Sequence, residues 1–324
     1  MLRLLTFNCH EAYVHLLGKL GHALDIIDGL PGRVTARWDE RSRPVPKNAR
    51  LLRLDEALAS PRYDVAIAHN ITDLLALRTL TLPKILLLHV NLEARVLEEP
   101  GAPDAAAMRR QIGEYLSAIR ATPVAVSRAK AESWGQACAV IRPCADPAEY
   151  RGFEGSRPVA LRVANQVMQR PARFAWPAHV AITRGQPIEL VGHNPELSGV
   201  TPAGSWDELR ARYREHRAYV HTAGAGLDDG YNLGVVEAMM TGMPVVSLNG
   251  SESPVVDGDS GYISDDVSYL NARLGALIAD RELALELGRN ARRRALELFD
   301  VGAFVANWNA ALESAAATFA GRGG

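Results

Sequence analysis

Apolar positions along the chain gather into short dense runs separated by amphipathic stretches. Leu2–Phe7 (LRLLTF) is apolar on both faces and predicts a buried strand, followed by a polar turn, NCHE, and helical spacing from Ala12 to Leu20. Beyond the Pro31–Gly32 break the pattern predicts a helix over Arg50–Ser60, a strand over Tyr63–Ala68, a short helix over Asp73–Leu80 and a strand over Lys84–Val90. A helix over Ala105–Ile119 and a strand over Pro123–Ser127 complete the first half. Strands buried on both faces and alternating with helices predict a parallel sheet covered by helices.

The stretch Arg142–Arg157 (RPCADPAEYRGFEGSR) loses apolar periodicity and gains Pro, Gly and charge, the composition of a boundary. The alternation then restarts, with strands predicted at Pro158–Ala164, Pro187–Gly192, Ala218–Thr222 and Met243–Leu248. Ser205 to Glu208 has capping-box spacing and opens a helix running to about His216; a helix over Leu233–Thr241 closes at Gly242. From Asp266 to Ala320 the chain reads as mostly helical, with a break near Asp300–Gly302. The expected class is α/β, with domains at 1–150 and 151–300 and a terminal helix at 301–324.

Composition narrows the function classes. With 324 residues, 48% apolar and 23% charged, the chain can bury two cores of ordinary size. No apolar run approaches the roughly 20 residues that span a bilayer. The opening MLRLLTFNCHEAY lacks the long apolar stretch and cleavage site of a secretory leader. Three cysteines, Cys9, Cys138 and Cys144, make no disulfide framework, so a cytoplasmic setting is expected. A net charge of -1 argues against a nucleic-acid partner. Only four residues are lysines and none lies beyond Lys130, so an anion held in the second half must meet Arg, His or backbone N–H groups. No cluster has metal-ligand spacing; His10–Glu11 lacks the second histidine of HExxH because position 14 is Val.

The sharpest local pattern is HTAGAGLDDGYNLGVVEAMMTGMPVVS, from His221 to Ser247. A strand ends, a loop with Gly224, Gly226 and Gly230 follows, and a helix begins near Leu233. Such a loop presents N–H groups and the positive end of a helix dipole beyond the carboxyl end of a strand, where phosphate is the natural guest. Glu237, one turn inside the helix, and Asp229, eight residues earlier, are carboxylates that accept hydrogen bonds from sugar or ribose hydroxyls.

This segment resembles the signature of the retaining family 4 glycosyltransferases of the GT-B fold: an acidic residue, seven residues, a glutamate, then Gly-x-Pro-Val-Val. Here these are Asp229, Glu237, Gly242, Pro244, Val245 and Val246. The stretch Pro123–Tyr150 is similar to the family's last N-domain strand, helix and entry to the linker, with Pro143-Cys144-Ala145-Asp146 one residue shorter than the usual turn. The resemblance implies two Rossmann-like parallel-sheet domains facing a cleft, with a C-terminal helix crossing back to the N-terminal domain. It implies a metal-independent transfer of a hexose-like unit from a nucleotide sugar to a hydroxyl acceptor, with anomeric configuration retained and no cofactor.

By the same resemblance Asp229 meets the transferred sugar, Glu237 holds the ribose, and the amides of Leu233 and Gly234 receive the diphosphate. The family's phosphate-binding arginine falls on Arg162, in LRVANQVMQRPARF; its lysine is absent, with Arg170 or Arg173 as the substitute. Asn232 replaces a usual glycine. His89, at the end of KILLLHV, stands where relatives have a histidine near the transferred sugar, and His221 is placed to contact base or sugar. On the acceptor side are His10 and Glu11 after the first strand, His69 and Asn70 after the second, and Asn91 beside His89. The basic run Arg289, Arg292, Arg293 and Arg294 offers weak peripheral contact with anionic lipid on the inner face of a membrane. Two further classes fit the same architecture: a nucleotide-sugar epimerase, and a non-catalytic protein that binds a sugar nucleotide or serves as a partner subunit. A dehydrogenase does not, because NCHEAY replaces GxGxxG after the first strand. Donor base, sugar, acceptor and oligomeric state stay open at this level.

Overall fold

The computed structural model describes residues 1–32, 37–60, 62–99, 101–227, 230–250 and 252–321. The chain divides into two compact units, Met1–Pro143 with Val301–Gly324, and Cys144–Asp300. The second unit begins earlier than the expected 151 because Cys144, Ala145 and Tyr150 are buried, the latter two in its core cluster.

The first unit runs β1 (Arg3–Phe7), α1 (Glu11–Leu17), a 3-10 turn (Gly18–Leu20), β2 (Ala23–Ile27), β3 (Ala49–Leu52), α2 (Leu54–Ala59), β4 (Val65–Ala68) and α3 (Ile71–Ala76). It continues with β5 (Lys84–Leu88), α4 (Leu92–Glu98), α5 (Ala105–Ala118), β6 (Ala121–Ala125), α6 (Arg128–Trp134) and β7 (Ala139–Val140). The strands form one parallel sheet in the order β3-β2-β1-β4-β5-β6-β7. Strand order reverses between β1 and β4, the place where ligands settle in open sheets of this kind.

In this unit β2 and β3 were not expected. Arg50–Ser60, predicted as one helix, is strand β3, a single residue Arg53, and helix α2. The reason lies in β2, whose Leu24–Ile27 pair in register with Ala49–Leu52. Asp25 interrupts the apolar run of β2 and hides it from a pattern reading. It is 4% exposed, and Arg3 and Arg50 on the flanking strands both donate to it, at 2.7 and 2.6 Å. Burial pushes the Asp25 carboxyl up, but the two guanidiniums outweigh burial and hold it below the usual carboxylate range.

The second unit runs β8 (Arg157–Val163), α7 (Trp176–Ile182), β9 (Ile188–Val191), α8 (Trp206–Glu215), β10 (His216–His221) and α9 (Leu233–Thr241). Then come β11 (Val245–Ser247), β12 (Gly261–Ile263), α10 (Val267–Ala279) and α11 (Arg281–Leu298). Its parallel sheet has the order β12-β11-β10-β8-β9, reversing between β8 and β10. Two of the four arginines of the expected basic run on α11 are turned inward, while Arg289 and Arg293 stay exposed. Arg292 donates to the carbonyls of Tyr150 at 2.5 Å and of Met240, and Arg294 donates to Pro254 O at 2.5 Å.

The last helix, α12 (Val301–Ala320), belongs to the first unit. Phe304, Trp308, Leu312 and Ala315 are at most 2% exposed, and the helix packs against β4, β5 and β6. His22 and Asn309 pair through Nε2 and Oδ1 at 3.0 Å. Among the described residues no helix is long and apolar enough to cross a membrane.

Candidate active site

In the first unit the strand ends at the reversal bring three of the expected histidines together. His10 follows β1, His69 follows β4, and His89 follows β5. His69 Nδ1 lies 2.8 Å from His89 Nε2, and the His10 and His89 rings are 4.6 Å apart between centroids. His69 is 3% exposed; its Nε2 meets Thr6 Oγ1 at 2.8 Å, and its backbone N–H donates to Asp73 Oδ2 at 3.0 Å. Burial first, and then His10, His69 and Lys130, holds the His89 imidazole well below its ordinary value, so the ring is neutral at pH 7.

The support around His89 is aromatic. Tyr13 on α1 meets its ring edge-on, 86° between planes and 4.8 Å between centroids, and Phe304 of α12 packs on Tyr13 in turn at 6.3 Å. Trp134 at the end of α6 donates its indole N–H to Val90 O at 2.8 Å, and Ser133 accepts from Leu92 N at 2.6 Å. Thr6, Tyr13 and Phe304 carry no local motif, so sequence reasoning passed over them, and Trp134 reads from sequence only as a packing anchor. The apolar spacing of α1 accounts for Tyr13 as core and gives no hint of a histidine beside it.

Other expected groups on this side are held by the fold. Asn70 caps α3, accepting from Asp73 N at 2.9 Å, and its amide points to Cys9 Sγ at 3.4 Å. Glu11 accepts from Asp39 N at 2.8 Å and so anchors the segment after residue 37. Asn91, at the start of α4, is 7% exposed, whereas His10 is exposed.

In the second unit the reversal lies between β8 and β10, and Arg162 bridges it. This guanidinium is 2% exposed; it donates to Thr222 Oγ1 at 2.6 Å, to Thr222 O at 3.1 Å and to Phe174 O at 3.3 Å. The geometry is that of a group tying two strand ends to the 164–175 turn. Within that turn Gln166 and Ala175 have positive φ values of 56° and 42°, and they flank Arg170 and Arg173. Arg170 donates to Gln166 Oε1 at 3.2 Å and lies 5.5 Å over the Phe174 ring; Arg173 is 8% exposed. The turn is pressed on the glycine loop. Gly224 N donates to Arg173 O at 2.9 Å, and a Cβ at Gly224 would lie 2.4 Å from Ala172 O.

Helix α9 starts as its sequence requires. Asn232 is the N-cap and accepts from Gly234 N at 2.9 Å and Val235 N at 3.4 Å. The Gly234 N–H expected to face phosphate therefore meets the Asn232 carboxamide here, while Leu233 is the first helical residue. Gly234 also has a packing reason: a Cβ there would lie 2.3 Å from the Tyr219 hydroxyl, which itself donates to Val163 O at 3.2 Å. Glu237 is 5% exposed, one turn into α9. His221, Ser247, Asn249 and Ser253 line a small hollow of about 20 Å³, open to solvent, at the carboxyl ends of β10 and β11. Asp229 lies outside the described residues. Among the described residues no group of three or more His, Cys, Asp or Glu could hold a metal ion.

No protein-family model matches the chain. A stretch of 99 residues is 36% identical to the MMP alpha-(1->4)-mannosyltransferase of Mycolicibacterium hassiacum, covering 29% of this chain and 24% of that protein. Another of 144 residues is 28% identical to the O-antigen chain mannosyltransferase B of Escherichia coli, covering 43% and 30%. The chain thus matches less than a third of the length of these relatives. Solved structures match over its whole length. Anabaena HepE in complex with UDP and glucose superposes with a TM-score of 0.71, at 14% identity over 97% of this chain and 100% of that one. The sucrose-phosphate synthase of Thermosynechococcus elongatus gives 0.69 at 16% identity over 97% and 99%. The fold is GT-B, two Rossmann-like parallel-sheet units with the last helix returned to the first.

Proposed function

We propose that the protein is a retaining glycosyltransferase that moves a hexose-like unit from a nucleotide-diphosphate sugar to a hydroxyl acceptor without a metal ion. The observation that carries this reading is Glu237, a carboxylate 5% exposed, one turn into a helix at the strand-end edge of the second sheet. Its position suits a bond to ribose hydroxyls, which an arginine could not accept. The full-length likeness to a fold that holds UDP and glucose in Anabaena HepE supports a nucleotide-sugar donor, and two mannosyltransferases among the sequence relatives make mannose the first sugar to test.

In this reading the second unit binds the donor, with Glu237 on the ribose and His221 beside base or sugar. The bond between the anomeric carbon and the diphosphate breaks, the acceptor oxygen bonds to that carbon on the same face, and the acceptor's hydroxyl proton passes to the departing diphosphate oxygen. Negative charge develops on the diphosphate as it departs. Arg170 or Arg173 and the positive start of α9 stabilise that charge, the electrostatic task that dominates such reactions. Arg162 acts by holding the turn that carries the other two arginines. Asp229 and His89 contact the transferred sugar, and His10, His69 and Asn91 serve the acceptor side. In this reading the protein works in the cytoplasm, with weak peripheral contact at the inner face of the membrane.

The test is a thermal-shift screen against UDP, GDP, ADP and TDP and against UDP-glucose and GDP-mannose, with and without Mg²⁺. A ligand at a hundred times its Kd raises stability by about 2.7 kcal/mol. One diphosphate should shift the melt, independently of Mg²⁺, and Glu237→Ala should abolish the shift. Silence towards all six ligands would overturn the reading, and binding without release of diphosphate would leave a non-catalytic sugar-nucleotide binder.

A further inference from the structure

Thr6, His69 and His89 are joined in a hydrogen-bonded chain whose proton positions follow from its first member. Thr6 Oγ1 lies 3.0 Å from Ile67 O and 2.8 Å from His69 Nε2, and His69 Nδ1 lies 2.8 Å from His89 Nε2. A carbonyl oxygen only accepts, so the single hydroxyl proton of Thr6 goes to Ile67 O. Thr6 then accepts from His69, which places the His69 proton on Nε2. A neutral imidazole carries one N–H, so His69 Nδ1 is an acceptor and His89 Nε2 is the donor to it. His89 Nδ1 is left with its lone pair. The His69 and His89 rings are within 13° of coplanar with centroids 5.1 Å apart, an edge-to-edge placement that points the N–H along the partner's lone pair. Thr6 is 0% and His69 3% exposed, so water does not compete for either bond.

We infer that Thr6 and His69 are positioning residues that lock His89 into its Nε2–H tautomer, so that His89 Nδ1 meets the substrate as a hydrogen-bond acceptor. The matching partner is a hydroxyl, which brings a proton to Nδ1; an ionised phosphate oxygen, which only accepts, is refused. This selects a sugar or acceptor hydroxyl for the His89 position and keeps the diphosphate out of it. The inference rests on the reading of His89 as a substrate contact, but the tautomer is measurable without any substrate.

The experiment labels histidine with ¹⁵N in the full chain and reads long-range ¹H–¹⁵N correlations, with His89→Gln to assign the His89 signals. Three proteins are compared: wild type, Thr6→Ser, which keeps the hydroxyl, and Thr6→Val, which keeps the shape and removes it. Wild type and Thr6→Ser should carry the His89 proton on Nε2. In Thr6→Val the His69 proton is free to move to Nδ1, and His89 should shift towards the Nδ1–H form. Release of diphosphate from GDP-mannose and UDP-glucose, with water as acceptor, should then show kcat lowered about tenfold in Thr6→Val, with KM changed by less than about twofold and Thr6→Ser close to wild type. A wild-type His89 protonated on Nδ1, or on both nitrogens, overturns the inference whatever the activity. A Thr6→Val protein with the altered tautomer and unaltered kcat overturns its functional half. Expected spectra in a protein that releases no diphosphate from any donor would support the tautomer assignment and remove the transfer reading instead.

Discussion

His179 shows what a buried histidine costs when nothing pays for its charge. It is 4% exposed on α7, stacked on Trp176 at 4.7 Å, and burial, followed by the nearby Arg162, lowers its pKa from 6.5 to about 3. Below pH 6.5 the unfolded chain takes up a proton that the folded chain refuses, so stability is full above 6.5 and falls as pH drops towards 3. The slope is about 1.4 kcal/mol per pH unit for one such group. His179→Phe keeps the ring and removes the titration; urea unfolding of the two proteins should give stability curves that diverge by that slope between pH 6 and 4. Parallel curves would show that His179 protonates as readily folded as unfolded. A second residue-scale outcome concerns Ala175, whose left-handed backbone costs about 1–2 kcal/mol. Ala175→Gly should raise stability by up to about 1 kcal/mol after its own chain entropy is deducted. If the strain presets Arg170 and Arg173 for the donor, the same variant should raise KM for the nucleotide sugar. Unchanged KM would make the turn a structural feature alone.

At the scale of elements, α9 is where sequence and structure agree most closely, because its signals are local. Asn232 caps it, Gly242 ends it with φ 96°, and both boundaries of Leu233–Thr241 were legible. Asn232→Ala removes the acceptor for Gly234 N and Val235 N and should cost about 1 kcal/mol in chemical denaturation. The same substitution frees the Gly234 N–H. Diphosphate affinity that rises in Asn232→Ala would mean the cap competes with phosphate, whereas affinity that falls would mean phosphate needs the ordered helix start. What the sequence hid depends on distant partners. Strand β2 is invisible until Arg3 and Arg50 are seen on Asp25, since an acidic residue in an apolar run reads as a break. Arg162 was expected to meet donor phosphate, whereas its bonds to Thr222 and Phe174 join residues 60 and 12 positions away. His10, His69 and His89 were legible as strand-end residues; that Thr6, His69 and His89 form one hydrogen-bonded chain, with the His10 ring beside His89, is a matter of sheet order.

For the molecule as a whole, the decisive fact is that the second unit is one uninterrupted segment and the first is not. The chain leaves the first unit at Pro143 and returns at Val301. Among the described residues, the core clusters of the second unit draw on residues between Ala145 and Phe299. The first unit, in contrast, depends on α12, which buries Phe304, Trp308 and Leu312 against β4, β5 and β6 and braces Tyr13 beneath His89. Burying three large apolar side chains contributes on the order of 5–8 kcal/mol, against a total domain stability of about 5–15 kcal/mol. Residues 144–300 expressed alone should therefore fold with a cooperative melt and, if the donor reading holds, keep the diphosphate shift. Residues 1–143 expressed alone should lack a sharp melt and bind a hydrophobic dye, and joining 301–321 back through a flexible linker should restore both the melt and the near-UV signal of Tyr13 and Trp134. A segment 1–143 that melts as sharply as the joined form would show that α12 adds little to the sheet. The brace through Tyr13 would then be dispensable, and Trp308→Ala in the full chain, otherwise worth about 3–5 kcal/mol, should be nearly silent.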